Sequence, residues 1–187
     1  LSNIAERYFI QAWFDFTQLG IYSHSQNYTN LFKMIYKSFD HTLTPELLKA
    51  FSKNDVKLKN KIENLLYILF TGLIVIGMLL ALYIHDIVNI LTHGKFVAAA
   101  PLIPLWYGLI LIYVYGFMYV KYLVVRKKTL FLSKSQTIVK LSFIPVTAVV
   151  VYYAGILGAV ISVLAANFLI QFCVRYYARK LGLKVNH

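Results

Sequence analysis

Seven residues carry the most chemical information in this chain of 187 residues: Tyr22, Ser25, Thr29, Lys33, Tyr36, Asp40 and Thr44. Every step between them is three or four residues, so on a helix they form one continuous polar stripe. Lys37 borders the stripe, whereas Leu31, Phe32, Ile35, Phe39 and Leu43 fall largely off it. Two ammonium groups and a carboxylate on one face suit two kinds of chemistry. Lys33 and Lys37 can attract a phosphate-bearing anion, and Asp40 can hold a proton or a coupling cation such as H+ or Na+. The structural alternative is an internal ion pair, since both lysines lie within reach of Asp40 along the helix. Both readings can hold together.

The surroundings of the stripe decide what it must do. Hydrophobic residues make up 59% of the chain and charged residues 14%, well below the charge content of soluble domains. That composition excludes a disordered chain and argues for an integral membrane protein. A helix needs about 20 apolar residues to cross a bilayer. The runs 65–84 and 96–120 contain no charge. Pro101 and Pro104 sit where a helix begins, which is where proline is tolerated. The uncharged run 141–174 is too long for one crossing, and Tyr153-Ala154-Gly155-Ile156-Leu157-Gly158 offers a turn in its middle. The expected fold is therefore an all-α integral membrane bundle. Its five spans fall near 19–43, 65–84, 99–121, 132–153 and 156–177, preceded by an amphipathic segment, 1–18, that reads as the end of an earlier helix and an outer connection. Charges inside the first span cost several kcal/mol each at mid-bilayer. The stripe must then line an aqueous cavity or meet partner charges.

The net charge of +12 is a matter of topology. Basic residues gather in the segment 49–61, in the loop from Lys121 to Lys134 and in the tail from Arg175 to Lys184, leaving Arg7 and Lys95 opposite. The positive-inside rule puts the basic loops and the C-terminus in the cytoplasm. Nothing resembles a nucleic-acid-binding motif, so no nucleic acid partner is expected. Lys140, inside the fourth span, has a stem that can snorkel outward. Asn167 and Gln171 suit interhelical hydrogen bonding. Trp106, Tyr107, Tyr152, Tyr153, Tyr176 and Tyr177 read as interfacial aromatics. Pro145 suggests a kink. The single Cys173 excludes an internal disulfide. The histidines, His24, His41, His85, His93 and His187, have no metal-ligand spacing, and no catalytic motif is present, so neither a metal, a cofactor nor an enzymatic activity is expected.

The order of short motifs resembles the C-terminal half of bacterial Wzx-type polysaccharide and O-antigen flippases, in the multidrug/oligosaccharidyl-lipid/polysaccharide exporter superfamily. Glu6-Arg7 followed by Leu19-Gly20-Ile21-Tyr22-Ser23 looks like the family's acidic-Arg pair and helix start. Phe39-Asp40-His41-Thr42-Leu43-Thr44-Pro45 looks like its helix end, with Asp40 in place of an amide and Leu43 in place of Trp. Gly94-Lys95-Phe96, Ala98-Ala99-Ala100-Pro101-Leu102-Ile103-Pro104 and Gly155-Ile156-Leu157-Gly158-Ala159 resemble an outer loop, a helix entry and a tight outer turn. The resemblance implies a twelve-helix transporter of two six-helix bundles in the bacterial cytoplasmic membrane, to which this chain supplies the last five spans and the tail of the seventh. Such a transporter moves an undecaprenyl-diphosphate-linked oligosaccharide by alternating access, with the N-terminal half and membrane lipids as partners. A cation-coupled multidrug exporter of the same superfamily and a non-transporting membrane scaffold or remnant are the alternatives. Two cavity lysines suit an anionic cargo better than a cationic drug.

Overall fold

The computed structural model describes residues 2–183, with side chains from residue 5 onward; Lys184 and His187 lie outside the described residues. The order is α1 (Ser2–Trp13), α2 (Phe16–Ser52), α3 (Val56–Thr92), a 3-10 turn (Val97–Ala99), α4 (Leu102–Val125) and α5 (Thr129–Lys180). Local chemistry sets the boundaries. The carboxylates of Asp15 and Asp55 accept the backbone N–H groups of Gln18 and Leu58 and so cap α2 and α3. His93 closes α3 in the left-handed conformation, and Pro101 stands immediately before α4.

Three stretches are long and apolar enough to cross a membrane: Val56–Thr92, Val97–Val125 and Thr129–Lys180. The chain is an all-α membrane bundle. Large apolar side chains on α3 face outward, among them Leu82 and Ile90, each 73% exposed. Lipid is the solvent in which such a surface is stable. The polar α2 does not qualify by hydropathy.

α5 contains two of the expected spans. Gly155 breaks it with φ 59 and ψ −144, a conformation that favours glycine, and two arms fold back on one another there. Close packing beside the turn depends on Gly158, where a Cβ would lie 2.4 Å from the carbonyl oxygen of Val150. The polar span is longer than expected. Pro45 does not end it, and the helix continues to Ser52. Proline removes one N–H, but His41, whose carbonyl loses that partner, and Pro45 are both exposed. At 37 residues each, α2 and α3 reach about 55 Å, beyond the roughly 30 Å hydrocarbon layer. They meet in a basic hairpin whose tip is 53–55.

α4 is the central helix, packed against α2, α3 and α5. Trp106 and Tyr107 belong to this core, in contrast to the interfacial placement expected for them. Trp106 is 1% exposed and Tyr107 is buried, its hydroxyl donating to the carbonyl of Leu73. Tyr152, Tyr153 and Tyr176 are exposed.

Candidate functional site

The stripe on α2 turns toward α4, α1 and α5, and it divides into three parts. Its first part is closed. Tyr22, Ser25 and Thr29 are buried. The Tyr22 hydroxyl donates to the Glu6 carboxylate at 2.6 Å, joining α1 to α2. The Ser25 hydroxyl donates to the Tyr22 carbonyl and accepts from Trp106 Nε1 at 3.0 Å. The Tyr22 and Trp106 rings meet edge to face. These three residues were expected to line a cavity or meet charges; Tyr22 meets the Glu6 carboxylate, and Ser25 and Thr29 are buried among core contacts. Among the described residues the Thr29 hydroxyl has no hydrogen-bond partner.

The middle part faces the gap between α2 and the first arm of α5. Lys33 is half-buried and Lys37 exposed. Lys33 lies close enough to Lys140 and Lys37 to feel both charges. Lys140 also acts on Glu6, which is 3% exposed. Glu6 and Lys140 share a cavity of about 10 Å³ with Thr147, Ser162 and Asn167, room for about one water. The Tyr36 ring packs against Tyr113, whose hydroxyl donates to Asn167 Oδ1 at 3.4 Å. That contact is interhelical, as expected for Asn167. Gln171 makes no equivalent bond: its buried Oε1 has no partner among the described residues.

The last part is an ion pair. Asp40 Oδ1 stands 2.6 Å from Lys121 Nζ and accepts from the Thr44 hydroxyl at 2.9 Å. The partner of Asp40 is thus on α4; neither Lys33 nor Lys37 pairs with it. Lys121, read from the sequence as a loop residue, is in the last turns of α4 and packs over the Phe117 ring. Its side chain is 17% exposed and that of Asp40 28%. Among the described residues, Lys33, Lys37 and Lys140 have no carboxylate within ion-pair distance.

No protein-family model, curated protein or solved structure matches this chain.

Sequence reasoning missed Lys121, Trp106 and the role of Glu6 as the acceptor for Tyr22. Spacing along one helix carries no signal for them, because each meets the stripe from another element. A signal did exist for Lys121: an aspartate at membrane depth requires a counter-charge. His24 stacks on Phe96 at 4.2 Å, His85 stands 3.8 Å from Asp86, and His41 is exposed. Among the described residues no group of three or more His, Cys, Asp or Glu could hold a metal ion.

Proposed function

We propose that the chain is the C-terminal bundle of a bacterial polysaccharide flippase. In this reading it helps carry an undecaprenyl-diphosphate-linked oligosaccharide across the cytoplasmic membrane, by alternating access and without making or breaking a covalent bond. The supporting observation is the group Lys33, Lys37 and Lys140, three cations with no ion-pair carboxylate among the described residues, gathered between α2 and the first arm of α5. Positive charge at this depth is costly and needs an anionic partner or water. A diphosphate supplies the anion, and a hydrated cavity shared with an N-terminal bundle supplies the water. Tyr36 and the edge of the stripe line the same wall. The buried Tyr22, Ser25 and Thr29 act as the hinge-side packing that the cavity opens against.

Asp40 is the proposed coupling residue. Binding H+ or Na+ there weakens its hold on Lys121 and frees α2 to move against α4. The basic hairpin and the C-terminus face the cytoplasm in this reading.

The test is Lys33→Gln with Lys37→Gln in the complete transporter, with the lipid-linked sugar counted in each leaflet. Export should fall about tenfold or more while insertion stays normal, a loss of the order expected for charge-assisted phosphate contacts. Normal export would remove the diphosphate role from these lysines.

A further inference from the structure

The small chamber shared by Glu6 and Lys140 is fitted for a cationic donor. Three helical segments build it: α1 with Glu6, the first arm of α5 with Lys140 and Thr147, and the second arm with Ser162 and Asn167. Lys140, Ile144 and Thr147 repeat at steps of four and three, so they share one face of the first arm. What the walls offer is lone pairs. The Ser162 hydroxyl donates its proton to the Gly158 carbonyl, and Asn167 Nδ2 donates to the Val163 carbonyl, both at 2.8 Å. The oxygens of these two side chains, the Thr147 hydroxyl oxygen and the Glu6 carboxylate remain as acceptors. The volume of about 10 Å³ admits one group the size of a water molecule. An ammonium group is of that size and carries three donors. Lys140 already stands at the wall, so the chain supplies its own occupant.

Lys140 also stands between charges of opposite sign. The groups acting on Glu6 come from each element around it. Tyr22 of α2 donates to it at 2.6 Å, Arg7 of α1 is turned to Gln26 Oε1 at 2.8 Å, and Lys140 reaches it from α5. On its other side Lys140 meets the positive charge of Lys33, which is backed by Lys37. Repulsion from Lys33 drives the ammonium group of Lys140 toward Glu6, and an anion on Lys33 and Lys37 reverses that balance. We propose that Lys140 exchanges its ammonium group between the Glu6 chamber and an anion held by Lys33 and Lys37, and that Glu6 takes one proton from water each time Lys140 leaves. A buried carboxylate stripped of its counter-charge is neutralised instead of staying charged. The protonated carboxyl still accepts from Tyr22, so the contact between α1 and α2 survives the exchange. Anion binding and protonation of Glu6 therefore favour one another. This inference rests on the reading of the lysine group as an anion site and adds Glu6 as its regulator. Asp40, held by Lys121, takes no part in it.

The test is calorimetric titration of the full chain, in phosphatidylcholine nanodiscs, with inorganic diphosphate on both sides of neutral pH and in buffers of different ionisation enthalpy. Subtracting the result for Glu6→Gln removes the titration of the ligand itself. Wild type should take up about one proton more per diphosphate than Glu6→Gln, and its affinity relative to that variant should fall about tenfold per pH unit once Glu6 is ionised. Lys140→Gln should bind more weakly and lose this pH dependence too. Lys140 is exposed, so that variant decides the matter if Glu6→Gln does not fold. Equal proton uptake in wild type and Glu6→Gln, or wild-type pH dependence in Lys140→Gln, would overturn the exchange and leave the anion site standing. Absence of diphosphate binding in all three proteins would remove the anion site, and the exchange with it.

Discussion

Removing Lys121 should destabilise the bundle more than removing both members of its ion pair. At 2.6 Å, with an effective dielectric of about 20, the gross attraction between Lys121 and Asp40 is about 6 kcal/mol. Desolvation of both ions offsets much of this. The pair keeps 17% and 28% of its side-chain surface, so it lies nearer the buried limit than the surface one. Lys121→Gln leaves Asp40 charged among Tyr36, Phe117 and Thr44, with one hydroxyl donor remaining. We expect a loss of about 2–3 kcal/mol, somewhat below the 3–5 typical of a fully buried broken pair. Asp40→Asn with Lys121→Gln leaves two amides that can still hydrogen-bond, and should cost about 1 kcal/mol. Asp40→Asn alone leaves an amide beside Lys121 and should cost about 1 kcal/mol, so the coupling energy from the double-mutant cycle is about 2–3 kcal/mol. Equilibrium unfolding in mixed micelles, followed by loss of helicity, measures all four proteins. Salt should change the coupling little, because the pair is screened mainly by protein. A coupling below about 0.5 kcal/mol would refute the reasoning, since that is the scale of an exposed pair.

Other expectations concern the same polar seam and the turn in α5. If Asp40 couples transport to an ion, Asp40→Asn should remove the dependence of export on the H+ or Na+ gradient; an unchanged dependence returns Asp40 to a purely structural role. Gly158→Ala places a methyl 2.4 Å from a backbone oxygen, and thermal unfolding should reveal a loss of about 2–3 kcal/mol as the arms of α5 separate. Gln171→Leu removes a buried oxygen that has no partner among the described residues, and in the same assay should be neutral or stabilising by about 1 kcal/mol.

The bundle was legible wherever one helix carried its own signal. The charge-free runs marked the apolar helices, and Tyr153 to Gly158 marked the turn that Gly155 makes. The α2 stripe was legible from spacing alone, and its inward direction follows from the cost of charge in lipid. Partners were not legible. Asp40 and Lys121 are distant in sequence, and Lys121 was read as a loop residue because hydropathy ends a span at its first charge. Trp106 illustrates the same limit. An indole near a span end has the composition of an interfacial anchor, and its partners across the helix interface, among them the Ser25 hydroxyl and the Tyr22 ring, make it core. Pro45 was misleading for a different reason: proline stops a helix only where the lost hydrogen bond cannot be made up, and here the chain is exposed.

The Gly155 elbow also bears on how the chain enters its membrane. Its two arms end in the same kind of flank, Lys127, Lys128 and Lys134 before and Arg175, Arg179 and Lys180 after, and no charged residue stands between Lys140 and Arg175. In the positive-inside reading both basic flanks stay on the side of synthesis, and the part of α5 that traverses the bilayer, between Lys140 and Arg175, carries no charge. The pair can insert as one preformed hairpin, its internal hydrogen bonds made before it meets lipid. An arm inserting alone would strand its partner, along with the partner's apolar surface, in water. On this view the glycine's importance begins before the folded state exists: it sets the order of assembly, and a residue there that straightened the chain would leave the second arm on the wrong side.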